Sequence, residues 1–459
     1  MTDKNKNNAV IPDERGKIDW FVFGSAALVL FSLTILLASF PERSASVINN
    51  FYIFVTSTVG VVYILAGTLV LSFLIWLSLS KYGVIIFGDE AKPEYSEFSW
   101  CSMLFCAGIG ASLLYWSATE WVFYYTSPPF GLTSRSDEAI NWAVSYGVFH
   151  WGPVGWAFYC LPAIALGCSF HINKMPTLRL SAACEPVLKS YVSRWPGRVL
   201  DLLFLLGVIA TSATGLGFGT SIVSSSIAEL SGVGEGLELQ IGIIAVATLI
   251  ISISVYRGLD RGILVFSNAN TILAFVFILF VLTVGPTMFI LEMGITSLGV
   301  MASEFITMLS WADPLQRSDF VESWTIFYWA WWLAMGPFVG MFICKISKGR
   351  KIRQVVFGML FYGSAGCSLF FIVLGNYALH AELFGLYPVV ESTVQVSPSA
   401  AIAGLTSMLP AGNFWLFYLA VMGIIFMTTT YDSASYVLAA GASRELNETG
   451  HPMRWHRMF

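Results

Sequence analysis

Ten stretches of this chain are apolar for long enough to cross a bilayer, at about 19–40, 50–79, 98–127, 140–170, 199–231, 238–256, 262–290, 320–344, 354–379 and 412–441. A backbone in hydrocarbon must satisfy its own hydrogen bonds, so each run reads as a helix. Only 11% of the residues are charged, against about 25% in a soluble domain. Most of the chain therefore lies in lipid. The segment 294–318 reads as a short external helix along the surface, and 380–411 as an external loop of some amphipathic character.

Charge orients the spans. With the N-terminus inside, all but three of the 24 Lys and Arg fall in inner segments; only Arg43, Arg135 and Arg317 fall outside. So uneven a division supports both the span count and an N-in topology. The first apolar run is too long for a signal peptide and lacks a small-residue cleavage site, which makes it a retained span. A net charge of −4 gives no footprint for nucleic acid. Seven scattered cysteines and five dispersed histidines form no metal spacing and no disulfide framework.

Two places in the apolar runs look unable to stay helical: 107–112, Ala-Gly-Ile-Gly-Ala-Ser, in the third span, and Met335-Gly336-Pro337 in the eighth. Their separation of five spans fits a five-helix inverted repeat, whose paired breaks mark a midplane site. Close helix packing is the alternative use of such glycines. Beside the second place, Trp324, Tyr328, Trp331 and Met335 share one helical face, with Trp332 adjacent. On the fourth span, Trp151, Trp156 and Tyr159 share a broad face. Together these rings are candidate walls of a cage that holds a quaternary ammonium ion by cation–π attraction. No acid lies in the core of the Trp-rich span; Asp319 and Glu322 flank its outer end. Glu120 and Asp432 are the intramembrane acids, functional candidates by their cost, read here as partners of a hydroxyl or a helix end.

The runs Phe-Tyr-Trp-Ala-Trp-Trp (327–332), Pro-Phe-Val-Gly-Met-Phe (337–342) and Ile-Ser-Lys-Gly-Arg (346–350) occur in that order. They resemble the signature of the betaine/choline/carnitine transporter family, from about residue 19 onward. The resemblance implies an all-α, polytopic, LeuT-like inverted-repeat bundle preceded by two extra helices. Its domains would be a cytoplasmic tail (1–18), two accessory helices (19–97), a first five-helix repeat (98–293), an external surface helix (294–319) and a second repeat (320–459). Family members carry twelve spans, so the chain reads as lacking two, with three helices in its second repeat.

By the same resemblance, Trp151, Trp156, Tyr159, Trp331 and Trp332 match the lining of the family's central site. Met335 stands where betaine-type members carry Trp and carnitine-type members Tyr. Choline-type members often place Asp at the position of Ser112. The family's sodium position maps to the carbonyls of Cys106 and Ile109 and to Phe426, Thr429 and Thr430, while Asn270 stands where sodium-independent exchangers carry Arg. A second sodium position matches at Thr214 and Phe338 but meets Ala210. Leu-Leu-Tyr-Trp (113–116) and Ser-Pro-Pro-Phe-Gly-Leu (127–132) resemble the carnitine subgroup.

The expected function is secondary transport of a glycine betaine, carnitine or choline type solute across the bacterial inner membrane. The resemblance implies a sodium-coupled symporter, without other cofactor and as a homotrimer in the lipid bilayer. A sodium-independent exchanger and an inactive relic are the alternatives. An enzyme would need a motif such as His-Glu-x-x-His, Gly-x-Ser-x-Gly or a phosphate loop, none of which is present.

Overall fold

The computed structural model describes residues 18–444 and 446, apart from Ala91, Ile109, Pro176 and Gly258; the side chains of 107–108 and 254–264 are not described. Among these residues the chain is helical, with two isolated bridges, Ile18 to Ser443 and Ile86 to Lys351. Nine helices are long and apolar enough to cross a membrane, and a bent pair makes a tenth candidate. The protein is an all-α, multi-pass membrane protein.

The principal helices are α1 (Trp20–Ser39), α2 (Pro41–Leu79), the bent pair α3 (Glu97–Gly108) and α4 (Gly110–Thr126), α5 (Asp137–His150), α6 (Pro153–Gly167), α7 (Trp195–Ser231), α8 (Leu237–Arg257), α9 (Leu259–Val284), α10 (Thr287–Ser310) and α11 (Phe327–Ile346). They continue with α12 (Ile352–Leu383), which contains two π turns, α13 (Pro398–Ser407) and α14 (Gly412–Gly441). Local chemistry sets several ends. Pro41 opens α2, where its missing N–H costs nothing. Ser136 accepts from the Ala139 N–H ahead of Asp137 and Glu138 in the first turn of α5. Gly232, in the left-handed region, closes α7.

The connections collect on two opposite faces. On one, Gly349 donates to the Phe87 carbonyl (2.7 Å) and Phe87 to that of Arg350 (2.9 Å). Arg350 is buried there over Trp100, 4.2 Å from the ring, and pairs with Glu97 at 2.6 Å. Also on this face, Asp19 donates its N–H to the Ala442 carbonyl, and its carboxylate meets Arg179 (3.1 Å) and Arg444 (3.6 Å). Burial alone would push the Asp19 carboxyl up; the Arg179 and Arg444 guanidiniums overcome that and hold it below the usual carboxylate range. On the opposite face, Tyr52 donates to the Glu322 carbonyl (3.2 Å) and Phe130 packs on Trp311 (4.2 Å). Both ends of α10 meet this second face: Phe289 packs on His380 and Phe384, and Trp311, just past its last turn, packs on Phe130 and Phe320.

Two helix pairs are drawn together by glycine. Between α6 and α11, a methyl at Gly336 would stand 2.7 Å from the Phe158 carbonyl oxygen, and one at Gly340 2.7 Å from the Ala163 nitrogen. Between α7 and α14, one at Gly423 would stand 2.8 Å from Val223. Small residues let backbones approach where lipid gives no hydrophobic drive to helix association.

The expected break at Gly336-Pro337 is not formed: α11 runs through Pro337 without interruption. The Gly-Pro pair instead lies in the seam with α6, with Gly336 against the Phe158 carbonyl. The third span does break, with a 70° bend between its two halves. Gly110 has φ +50°, and a side chain there would meet the Thr430 hydroxyl at 2.5 Å, so both backbone and space require glycine. A further interruption lies in the fourth span, where Trp151 and Gly152 separate α5 from α6.

Candidate functional site

A small cavity lies between the two glycine-drawn pairs, beside the bend of the third span. Ser112, Thr211, Trp331, Met335, Thr430 and Tyr431 are among its walls. Its volume is about 20 Å³, room for about one water molecule. The conformation is closed around it.

The expected cage residues divide into two groups, and of the eight only Trp331 and Met335 line this cavity. Trp151, Trp156, Tyr159 and Trp332 are buried and touch one another: Tyr159–Trp332 centroids are 4.7 Å apart, Trp151–Trp332 5.6 Å and Trp156–Tyr159 5.7 Å. Tyr159 donates its hydroxyl to the Met335 sulfur at 3.4 Å. Trp324 and Trp331 are half-buried and belong to a second group with Trp116 and Phe218. Trp331 stacks on Phe218 at 6.1 Å and 23°, and Trp324 meets Trp116 edge-on at 6.0 Å. Tyr328 bridges the two sets: its hydroxyl donates to Glu120 and accepts from the Trp151 indole N–H at 3.2 Å, and its ring stacks on Trp324 at 6.3 Å.

Glu120 organises the buried side. It is fully buried and accepts from the Tyr124 hydroxyl (2.5 Å), the Trp151 indole N–H (2.9 Å) and the Tyr328 hydroxyl. Tyr124 also bonds His150 Nδ1 (2.9 Å), and His150 Nε2 meets the Thr325 hydroxyl (3.1 Å). The Trp332 indole donates to the His150 carbonyl at 3.1 Å. One acid and one histidine thus fix two tryptophans and two tyrosines from α4, α11 and the junction of α5 with α6. The hydroxyl partner expected for Glu120 is present twice; His150, one of five dispersed histidines, carries no spacing that marks it. An i, i+4 pair of Glu120 and Tyr124 on α4 was the available signal.

Of the expected ion ligands, Cys106, Phe426, Thr429 and Thr430 are described, and Ile109 lies outside the described residues. The Thr430 hydroxyl faces the Cys106 carbonyl across the bend at 3.5 Å. The Thr429 hydroxyl bonds back to its own helix, at the carbonyls of Phe426 (2.9 Å) and Ile425 (3.1 Å). Asn270 is fully buried on the helix that meets α3. Within that helix, the Ser267 carbonyl and the Thr271 hydroxyl lie 3.7 and 3.8 Å from the Cys106 sulfur.

The description "BCCT, betaine/carnitine/choline family transporter" matches residues 21–459. The chain belongs to this family. It is accordingly a transporter and not an enzyme. It is 32% identical over 459 residues to a carnitine transporter of Acinetobacter baumannii, covering 100% of this chain and 82% of that one. A high-affinity choline transport protein of Escherichia coli is 34% identical over 97% of this chain and 66% of its own. An ectoine/hydroxyectoine transporter of Virgibacillus pantothenticus is 34% identical over 93% and 85%.

Proposed function

We propose that this BCCT transporter moves a small quaternary-ammonium solute by secondary active transport, coupled to sodium. The observation that carries the reading is the cavity between the bend of the third span and α11, with Trp331 on one wall and Thr430 facing the Cys106 carbonyl on another. A methylated cation offers no N–H donor, so a ring face replaces its water more cheaply than a buried carboxylate does. Backbone oxygens freed at the bend, with a hydroxyl opposite, suit a hard monovalent cation. Thr429 would have to turn from its own helix to join them. Because the cavity holds about one water, solute entry requires the half-buried aromatic group to part from the buried one.

The basic face is read as cytoplasmic by its Lys and Arg, the membrane as the bacterial inner membrane, and the assembly as a homotrimer. On this reading α10 lies along the outer surface, since both its ends meet the outer face.

Proteoliposomes holding the purified chain test the function. Uptake of labelled carnitine, choline and glycine betaine is followed with sodium or potassium outside. Accumulation of at least one solute in sodium only is expected. Equal accumulation in both salts would overturn the coupling and favour exchange. No uptake in either, with no solute binding, would overturn the transport reading.

A further inference from the structure

Behind the cavity, about 220 Å³ of space lies between α2, α7 and α11. It opens toward the membrane, where Ala210, Thr214 and Ala334 are exposed. Thr211 and Trp331 line both spaces, so these two residues form the partition between them. Thr211 and Thr214 lie midway along α7, and Trp331 and Ala334 midway along the span Val321–Ile346. At that depth the groove faces hydrocarbon and not water. Every hydroxyl that lines it is already engaged. Thr56 donates to the Tyr52 carbonyl (3.0 Å), Thr211 to that of Gly207 (2.8 Å) and Thr214 to that of Ala210 (3.0 Å), while Tyr52 donates to the Glu322 carbonyl (3.2 Å). No Asp, Glu, Lys or Arg lines the groove.

We propose that this groove binds one acyl chain of a membrane lipid, and that the chain backs the Trp331 ring and so sets solute affinity. The effect on affinity rests on the quaternary-ammonium reading above; the lipid site itself does not. A cation is poorly served here. Thr214, part of the second sodium match, spends its hydroxyl proton on its own helix, and Ala210 brings no side-chain oxygen. A helix of another chain is too large: one turn, about 10 Å across and 5.4 Å tall, occupies about 400 Å³. A hydrocarbon chain is thin and flexible, asks for no hydrogen bond, and is the solvent around these three helices at mid-span. Trp331 is half-buried and rests on Phe218 (6.1 Å) and Phe327 (5.9 Å). A chain in the groove adds packing on a further side of this residue, which also faces the solute cavity. The lipid and the solute thus share Trp331 as a common wall.

The test is photolabelling of the purified full chain in bilayers that contain a phosphatidylcholine with a diazirine in its acyl chain, mapped by peptide mass spectrometry. Thr56 and Thr211 are only 6% and 9% exposed, so a chain reaches them by entering the groove. Adducts at both are expected in the wild type. Ala210→Leu/Ala334→Leu fills the groove and should abolish them. Ala245→Leu, at an exposed position on α8 outside the groove, should leave them unchanged. Titration with choline, carnitine and glycine betaine reads the effect on affinity. Whichever solute binds should bind about three-fold more weakly in bilayers of methyl-branched chains, which enter a narrow groove less readily, than in straight-chain bilayers of the same headgroup; this is less than the loss of the ring itself. The filled variant should show no such difference. Absence of adducts at Thr56 and Thr211 in the wild type would overturn the lipid site, as would their survival in the filled variant. Adducts with equal affinity in the two bilayers would overturn the link to the solute. If none of the three solutes binds, the quaternary-ammonium reading fails and the link with it, while the adducts still decide the lipid site.

Discussion

The aromatic side chains of the expected cage and their neighbours are held in two different ways. Trp151, Trp156, Tyr159 and Trp332 are buried, and Trp151 and Trp332 are fixed through their N–H groups by Glu120 and the His150 carbonyl. Their packing is close enough that a methyl at Gly155 would stand 2.6 Å from the Trp332 ring. Trp116, Phe218, Trp324 and Trp331 are half-buried and meet mostly through ring faces and edges. The first group is a rigid wall and the second a set of rings able to change partners. Substitutions in the first should therefore read out as stability, and in the second as solute affinity.

The largest effect is expected at Glu120. Glu120→Ala removes the shared acceptor of the Tyr124 and Tyr328 hydroxyls and the Trp151 indole; Tyr124 keeps His150 and Trp151 keeps the Tyr328 hydroxyl, so the Tyr328 O–H is the donor left orphaned. An orphaned buried donor costs about 1–3 kcal/mol and the space left by the deleted side chain adds to it, so the variant should lose about 3 kcal/mol. Thermal unfolding of the detergent-solubilised protein checks this. Glu120→Gln keeps one acceptor oxygen and should fall between wild type and Ala. An unchanged midpoint in Glu120→Ala would show that the buried group is not held as described.

Next in size is Gly155→Ala. The added methyl presses on the Trp332 ring, which is held by the His150 carbonyl and by Trp151 and Tyr159. Overpacking of this kind costs about 1–3 kcal/mol. Stability should drop and solute affinity fall with it, because the wall itself shifts. If affinity falls with stability untouched, the two groups are not mechanically distinct and the comparison breaks.

Much of the fold was legible because lipid allows few alternatives. The runs at 199–231 and 412–441 became Trp195–Ser231 and Gly412–Gly441. Helix ends inside continuous apolar sequence were less legible: the run read as 262–290 stops at Val284, and a new helix starts at Thr287 after Gly285-Pro286. Pro337 misled for a related reason. Its local cost is real, but the glycines on either side bring α6 close enough for packing to decide. In the site, residue type and spacing found the rings but not their grouping. Trp331 and Trp332 are neighbours in sequence and point to different groups. The link from Glu120 to Tyr328 spans 208 residues, a pairing no local pattern encodes. Glu120 was therefore visible as an acid and invisible as an organiser.

The smallest expected effect on stability, and the sharpest test of the comparison, is Trp331→Leu. Trp331 contributes one wall of the cavity, and its ring rests on Phe218 and Phe327. Leucine keeps apolar volume on that wall and removes the ring face. The unfolding midpoint should stay close to wild type. Affinity for a quaternary-ammonium solute should fall about ten-fold, since a desolvated cation–π contact is worth about 1–2 kcal/mol. Titration of the purified protein with the solute that proteoliposomes accumulate measures the change. The paired control is Trp332→Leu, which removes a buried ring bonded to the His150 carbonyl and should lower the midpoint by more than it changes affinity. Should Trp331→Leu bind as tightly as wild type, cation–π recognition would have to come from the buried group, and the closed wall formed by Trp156, Tyr159 and Trp332 would have to open to admit the solute.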